Sequence, residues 1–332
     1  MARMSDIAKK TGLNISTVSR ALNGSYDISE STRILVQEVA NEIGYITREH
    51  RILARKTILI IVPELLSQYY SEMIHALRAD LGNKGYKVIT VVSGYSQTEI
   101  CMTLNDIRAY EVSGIFLVFS AIDSNELAGI YAKMQNIPTV LLSEMGTTIP
   151  LDTIFISQNY IMELAVNHLK ELGHHSIGYI GEKLSNQRLR ELQDICVHND
   201  MDLLERNIAI GEERFELGGS LRMREMIAKG NLPSAIIACY DQMAIGAIHA
   251  AMEAGIKVPR DLSILGIDDI DVDEYLPIPL TSIMTPVSQM CTVAVKLLHD
   301  LIEKPREHIV QHVSLQSKLI IRDSTARPKT GI

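Results

Sequence analysis

The sequence contains no tryptophan and only four phenylalanines, and aromatic residues make up 5% of its 332 residues. A core must therefore be built from aliphatic side chains, and a hydrophobic content of 46% is enough for a sizeable one. No run long enough to span a bilayer is free of charged residues, and the N-terminus lacks the apolar segment of a secretory signal. We therefore expect a cytoplasmic protein of two or three domains, without a membrane partner.

Motifs for metal binding, nucleotide binding and catalysis are also missing. No Gly-x-Gly-x-x-Gly fingerprint follows a predicted strand, no Walker-type loop occurs, and no serine lies in a nucleophile elbow. His174 and His175 are adjacent but have no third ligand nearby, so we expect a structural role for them. The four cysteines lack metal-site spacing and are expected to be buried thiols in a reducing compartment: Cys101, Cys196, Cys239 and Cys291. We expect neither an enzyme nor a cofactor.

Positive charge is scarce overall but is concentrated at the N-terminus. Residues 1–56 contain nine Lys/Arg and six Asp/Glu, a net charge of +3. The remainder contains 23 and 34, a net charge of −11, and together they give the formal −8 of the chain. A basic head on an acidic body is typical of a phosphate-binding module joined to a part that does not touch nucleic acid.

The stretch Met4–Asn23 predicts two short helices joined by a tight turn. Helix-starting residues open the stretch, and Gly12 can adopt the positive φ that ends the first helix. Asn14 or Ser16 can begin the second helix. Its first turns would be exposed, as in a helix-turn-helix reading head, and they carry Ile15, Ser16, Thr17, Ser19 and Arg20. An ordinary helical hairpin is the alternative.

A third helix and a basic segment complete the N-terminal region. The helix is predicted to begin at Ser29 or Ser31, with an apolar face formed by Ile34, Leu35, Val39, Ala40 and Ile43. The following segment, residues 46–57, is too short and too charged to be a core helix. It is either a plain linker or a segment that folds on a partner.

From Thr57 onward, apolar strand-like runs alternate with amphipathic helices. The predicted strands are Ile58–Val62, Val88–Val92, Ile115–Phe119, Thr139–Leu142, Ile177–Ile180, Ala235–Cys239 and Leu262–Ile267. The predicted helices are Tyr69–Asn83, Thr98–Tyr110, Asn125–Gln135, Ile161–Leu172, Arg188–His198, Leu217–Ala228 and Asp241–Glu253. This alternation indicates two α/β lobes with parallel sheets, and a ligand would bind beyond the carboxyl ends of the strands.

Five segments, taken in order, resemble the lactose/galactose-repressor (LacI–GalR) family of bacterial transcription regulators. They are DIAKKTGLNISTVSRALNG, EIGYITREHRIL, ELGHHSIGYIG, CYDQMAIGAIHAAMEAGIKVPRDLSILGIDD and LPIPLTSI. The resemblance runs from residue 3 to about residue 325 and is strongest with the branch of the galactose and evolved-β-galactosidase repressors. It implies an N-terminal all-α helix-turn-helix head and a periplasmic-binding-protein-like body of two Rossmann-like lobes.

The resemblance implies that the head and the basic segment bind double-stranded operator DNA. Ile15 and Ser16 match the main specificity positions in the major groove, and both are weak hydrogen-bond readers. Leu53 matches the leucine of a hinge helix that inserts into the minor groove, although His50 replaces the usual alanine and a passive tether is the alternative. The full implied DNA-contacting set is Ser5, Ile15, Ser16, Thr17, Ser19, Arg20, Asn23, Arg51 and Leu53.

The resemblance also implies a small sugar effector in a cleft between the lobes. Arg190 matches an arginine that binds sugar hydroxyls, and Asp268 matches a carboxylate that accepts from them. Phe215 matches an aromatic residue that packs on the apolar face of a sugar. The full implied set is Tyr69, Tyr70, Ser120, Tyr160, Arg190, Phe215, Tyr240 and Asp268.

Two positions depart from the family pattern. Tyr240 replaces the usual asparagine before the DQMAIG segment, so it either supplies a phenol or blocks the site. The glycine–aromatic pair expected after Arg190 is Gln193–Asp194. Arg190 could instead be a surface residue, and Asp268 a helix cap.

We expect a head at 1–47, a hinge at 48–56, a first lobe at 57–172 with 287–316, and a second lobe at 173–286 with 317–328. The expected function is that of a homodimeric repressor of a sugar-utilisation operon, released from its operator by galactose or a galactoside. One alternative is a regulator of the same family that needs a co-repressor. The other is a sugar-binding protein whose helical head does not read DNA.

Overall fold

The computed structural model describes residues 3–43, 45, 56–107, 112–119, 124–134 and 137–329. It divides into two compact units, a small helical head and a larger α/β body. The expected fold class is confirmed: a helix-turn-helix head, and a body of two lobes with largely parallel sheets. Along the described parts of the chain, no helix has the length and apolar character needed to cross a membrane.

The described residues of the head form three helices: α1 Met4–Thr11, α2 Ile15–Leu22 and α3 Glu30–Glu42. Gly12 follows α1 with φ at 70°, a conformation that glycine adopts at little cost. Asn14 precedes α2, and its side-chain oxygen accepts from the backbone N–H of Thr17 at 2.8 Å. The turn therefore has the local chemistry that the sequence indicated.

The core of the head differs in part from the expected one. Its buried residues are Ile7, Val18, Ala21, Val36 and Ala40. The apolar face predicted for α3 was partly wrong, because Ile34 is 53% exposed and Leu35 is 44% exposed. Val36 and Ala40 are four residues apart and share the inward face of α3, which turns Ile34 and Leu35 towards solvent.

Each lobe of the body is built on one six-stranded sheet. The first sheet contains β1 Thr57–Val62, β2 Lys87–Val92, β3 Gly114–Phe119, β4 Thr139–Ser143, β5 Asp152–Ile156 and β11 His312–Leu315, in the order β11-β5-β4-β3-β1-β2. The second contains β6 Ile177–Glu182, β7 Ile208–Gly211, β8 Ala235–Ala238, β9 Ser263–Asp268, β10 Thr281–Met284 and β12 Lys318–Ile320, in the order β12-β10-β9-β8-β6-β7. Strand β12 is antiparallel to β10.

Helices separate most of the strands of the body. They are α4 Gln68–Asn83, α5 Gln97–Ile107, α6 Ser124–Met134, α7 Gln158–Glu171, α8 Asn186–His198, α9 Phe215–Lys229, α10 Asp241–Glu253 and α11 Val287–Glu303. Helix α11 and five strands of three to five residues were not predicted from the sequence; the strands are β5, β7, β10, β11 and β12. Short strands such as Thr281–Met284 carry polar side chains even though they are buried, so their sequences lack a strong apolar run.

The first lobe ends earlier than the expected boundary at residue 172. Helix α7, Gln158–Glu171, packs on α8 and on strands β10 and β12 of the second lobe. The ring of His168 in α7 also contacts the Thr325 hydroxyl at 3.0 Å. The chain therefore crosses between the lobes at Ser157, which caps α7 and follows β5 without a glycine or proline to mark the crossing.

His174 connects three segments of the second lobe. One ring nitrogen lies 2.8 Å from the Ser234 hydroxyl, and the other lies 2.9 Å from the carbonyl oxygen of Ala326. The side chain is buried, and this burial lowers its pKa. Both nitrogens thus bind protein atoms, which is the structural role expected for this residue.

Helices α9 and α10 approach each other closely through glycines. A Cβ atom built on Gly246 would lie 1.9 Å from the carbonyl oxygen of Glu216, and one on Gly219 would lie 2.0 Å from that of Met243. These neighbours are backbone atoms, so they cannot move aside as a flexible side chain can. The contact matters for function because α9 and α10 both begin at the cleft between the lobes.

We predict that Gly246→Ala lowers the free energy of unfolding by about 1–3 kcal/mol, because the methyl group forces the two helices apart. Gly82→Ala in α4 is the matched control, since no atom lies within 4 Å of its added Cβ. It should leave stability unchanged or raise it by about 0.5–1 kcal/mol. Urea denaturation of the two variants measures the difference, and equal stabilities would contradict the packing described here.

Candidate functional site

The described members of the predicted DNA-contacting set cluster around α2 of the head. Ile15 is 53% exposed, and Ser16, Arg20 and Asn23 are also exposed, while the others, Ser5, Thr17 and Ser19, are half-buried. Because α2 buries one face through Val18 and Ala21, its exposed side chains, among them Ser16 and Arg20, lie on the outer face. Arg51 and Leu53, like most of the expected hinge, lie outside the described residues.

Two features of the head were not anticipated. The guanidinium of Arg20 binds the carboxylate of Asp27 at 2.5 Å, and the Ser25 hydroxyl donates to the same carboxylate at 2.6 Å. This contact ties the start of the α2–α3 connection to the exposed face of α2. Tyr26, between them, is 99% exposed. Tyr26 lies in a polar turn, where no helical or strand periodicity of apolar residues marks it.

A cleft between the lobes of the body lies beyond the carboxyl ends of their strands. Its empty volume, counted out to the open mouth, is about 500 Å³. The first lobe contributes Ser67, Tyr69, Tyr70, Tyr95 and Glu144. The second contributes Glu182, Leu184, Ser185, Arg188, Arg214, Phe215, Tyr240 and Asp268.

Backbone strain occurs at two of the cleft residues. Phe215, the first residue of α9, has φ at 57°, and Asp268, the last residue of β9, has φ at 112°. Side chains other than glycine rarely adopt such angles, and each instance costs about 1–3 kcal/mol. Strain of this kind gathers at sites where function requires a side chain in one position. Both residues belong to the predicted effector-binding set.

Asp268 presents an acceptor that no residue in the described ranges uses. Its Oδ1 atom is buried and has no hydrogen-bond partner among the described residues. Burial raises the pKa of this carboxyl from 3.8 to about 7, opposed by the nearby guanidinium of Arg188. A ligand hydroxyl would supply the missing donor.

Aromatic rings form much of the remaining lining. Tyr69 and Tyr70 meet edge to face with ring centroids 5.2 Å apart, on the side of the first lobe. On the opposite side, Phe215 and Tyr240 are 6.1 Å apart. The Tyr240 hydroxyl accepts from the backbone N–H of Phe215 at 3.1 Å. Tyr240 therefore lines the cleft and also holds the strained first residue of α9.

Two family models match the chain. Residues 3–48 match the bacterial regulatory proteins of the lacI family, and residues 166–325 match the periplasmic binding protein-like domain. The chain is 31% identical to the HTH-type transcriptional repressor CytR of Escherichia coli (strain K12), over 98% of this chain and 96% of the relative. It is 27% identical to the ribose operon repressor of Haemophilus influenzae, over 98% of each chain.

A solved structure of the Lac repressor, bound to ONPG in its repressed state, has the same fold. It superposes with a TM-score of 0.75 and 25% identity, covering 98% of this chain and 99% of that chain. The chain belongs to the lacI family of bacterial regulatory proteins.

Within this LacI-family cleft, the arginine differs from the one expected. Arg190 is exposed on α8 and donates to Gln187 at 2.6 Å, so it does not line the cleft. Arg188 points inward: it donates to Gln158 at 2.9 Å, to the carbonyl oxygen of Cys239, and to Glu144 at 3.3 Å. Two residues correspond to about 200° around a helix, so a shift of two positions moves a side chain to the opposite face.

Tyr160 and Ser120 also belong to the predicted effector-binding set. Tyr160 is half-buried in α7 and does not line the cleft, and Ser120 lies outside the described residues.

Sequence reasoning missed most of the charged lining. Arg214 donates to Glu182 at 2.6 Å and to Glu64 at 3.0 Å, while Glu144 binds Arg188. Each of the three glutamates ends or closely follows a strand. In sheets of this kind that position lies at the ligand-binding edge, so it could have marked them as candidates. Their partners are distant in sequence, so spacing alone could not reveal the pairs.

We predict that Asp268→Asn stabilises the protein at about pH 8, where the native carboxylate is ionised. The raised pKa means that the folded state holds its proton more tightly than the unfolded state. Wild-type stability from this group therefore falls as pH rises from about 4 to about 7, and then levels off. Thermal unfolding at several pH values should show the gain of Asp268→Asn shrinking towards about pH 4. Asp194→Asn, at an exposed position of α8, is the control, and an equal response would contradict the assignment.

The placement of the two arginines on α8 predicts different stabilities. Arg188→Gln should lower the free energy of unfolding by about 3 kcal/mol, because it leaves a largely buried glutamate unpaired. Arg190→Gln should change it by less than about 0.5 kcal/mol. Chemical denaturation compares the two directly, and a greater loss in Arg190→Gln would restore the original assignment.

Proposed function

We propose that this LacI-family protein is a homodimeric transcriptional repressor that a small sugar releases from its operator. The observation that carries the proposal is the presence of two sites on one chain: an exposed reading helix and a cleft with an unused buried acceptor. In this proposal residues 1–47 read DNA, residues 48–56 form the hinge, and the two lobes that follow bind the effector.

The reading helix α2 supports binding in the major groove. Its exposed face offers the apolar side chain of Ile15, the hydroxyl of Ser16 and the guanidinium of Arg20. An apolar contact can select a thymine methyl group, and a guanidinium binds guanine or phosphate. The pairing of Arg20 with Asp27 positions its guanidinium before DNA binds.

The composition of the cleft favours an uncharged, hydroxyl-rich effector. Aromatic rings suit the apolar face of a sugar, and Asp268 offers a free acceptor to its hydroxyls. Both arginines of the lining already bind glutamates, so a phosphate or carboxylate group would have to compete with them. Among sugars we propose galactose or a galactoside, from resemblance to that branch of the family.

Exposed apolar residues support a homodimer. On the first lobe, Ile89 and Val92 of the edge strand β2 are 45% and 50% exposed. On the second lobe, Leu217, Val272 and Tyr275 are exposed as well. An edge strand with apolar side chains in solvent is an aggregation hazard unless another chain covers it. Two copies would place two reading helices on the halves of a palindromic operator.

The effector acts through the two lobes. It must bind one arrangement of the lobes more tightly than the other, and this difference sets the coupling to DNA, typically about 1–3 kcal/mol. A change in lobe closure alters the spacing of the two hinge segments in the dimer and thereby the fit to DNA.

Fluorescence anisotropy with a labelled DNA fragment from upstream of the gene tests this function. The protein is titrated first, and then galactose, lactose, ribose and galactose 6-phosphate are added in turn. Salt-dependent binding that an uncharged sugar reverses is the expected result. Binding that appears only with an added small molecule would replace induction with co-repression. The absence of DNA binding under all conditions would overturn the proposal in favour of a sugar-binding protein.

For the head, we predict that Arg20→Ala weakens operator binding by about 1–3 kcal/mol. The fold of the head should survive, because the Arg20–Asp27 pair is largely exposed and contributes little to stability. Lys10→Ala is the matched control: it removes one positive charge from α1, in an exposed pair with Glu42. Anisotropy should show a smaller loss for Lys10→Ala, and equal losses would indicate that Arg20 acts only through its charge.

A further inference from the structure

Arg214 joins the two lobes of the cleft by an ion pair. It follows β7 in the second lobe and directly precedes the strained Phe215. Its Nε donates to Glu182 of the same lobe at 2.6 Å. Its Nη2 donates across the cleft to Glu64 at 3.0 Å and to the Tyr95 hydroxyl at 3.3 Å. Glu64 and Tyr95 belong to the first lobe.

The surroundings of Arg214 strengthen these contacts. Side-chain exposure is 24% for Arg214, 11% for Glu64 and 6% for Glu182, so water screens the charges only partly. The guanidinium carbon lies 4.6 Å from the ring centroid of Phe215 and 5.5 Å from that of Tyr95. Rings at these distances from a cation add attraction and exclude water.

A second pair of the same polarity crosses the cleft. Arg188 of the second lobe binds Glu144 of the first at 3.3 Å, and Gln158 and Cys239 hold Arg188 within its own lobe. In both pairs the arginine belongs to the second lobe and the glutamate to the first. Two ion pairs of the same polarity therefore connect the facing sides of the cleft.

We propose that Arg214 is a built-in cross-link that closes the effector cleft before any effector binds. The inference rests on the proposed role of the cleft as the effector site, and it adds a determinant of that site. Its guanidinium occupies space in the cleft, so an effector must fit beside the Glu64–Arg214–Glu182 cluster or separate Arg214 from Glu64. Residues from both lobes then decide which effectors enter.

Pulsed electron–electron resonance between two nitroxide labels measures lobe closure without DNA or effector. Labels are placed on A128C in α6 of the first lobe and A228C in α9 of the second, both exposed positions. Cys101 is replaced by serine because it is partly exposed, whereas the other three cysteines are buried. Dilution with unlabelled protein confines the measured distances to single chains.

The ligand-free parent should show one short distance. Arg214→Gln and Glu64→Gln remove the cross-link from opposite lobes, and each should give a longer mean distance or a second, longer population. Arg224→Gln breaks the exposed surface pair between Arg224 of α9 and Glu253 of α10; it is the matched control and should keep the parental distance.

The proposal is overturned if Arg214→Gln and Glu64→Gln, folded by circular dichroism, both keep the parental distance. It is also overturned if Arg224→Gln opens the lobes as far as they do. If one of these two variants fails to fold, the other remains decisive, because each removes the same contact from a different lobe. Because none of these measurements uses operator or sugar, their failure is distinguishable from failure of the proposed repressor function.

Discussion

A buried carboxyl at the start of α10 organises the second lobe around the cleft. Asp241 accepts from the Ser282 hydroxyl at 2.6 Å and from the backbone N–H of Ile270 at 3.1 Å. These bonds connect α10, β10 and the loop that follows β9. Burial and the nearby carboxyl of Asp273 raise the pKa of Asp241 well above its usual value. A Cβ at Gly266 would lie 2.0 Å from Asp241 Oδ1, so β9 requires glycine there.

This arrangement determines where Asp268 lies. Its strained backbone lies between two residues that contact Asp241. Gly266 packs against the carboxyl of Asp241, and the backbone N–H of Ile270 donates to the same carboxyl. Arg322 adds an ion pair to the neighbouring Asp269 at 2.7 Å. The surrounding structure thus supports a conformation and an unpaired carboxylate oxygen that would each be unfavourable alone. Proteins commonly accept such costs where a ligand must find a preorganised partner.

Local signals explain why the head and most body elements could be predicted. The glycine after α1 and the asparagine before α2 act within one turn of chain, so sequence adjacency is sufficient. Long apolar runs likewise identify central strands. Ile34 and Leu35 show the limit, because the apolar residues of α3 outnumber the positions that a three-helix core can bury. The first lobe crossing was misplaced for a similar reason, since Ser157 carries no distinctive turn signal.

The sequence by itself determined the fold class and the exposed second helix of the head, and its resemblance to the LacI–GalR family singled out Asp268, Phe215 and the cleft tyrosines. Only the tertiary structure decided that Arg188, and not Arg190, enters the cleft, because a helix must be docked before its inward face is known. It alone brought Arg214 to Glu64, 150 residues away in sequence. Contacts between the lobes depend on how both sheets pack, so no local sequence pattern predicts which charged residues form pairs across the cleft.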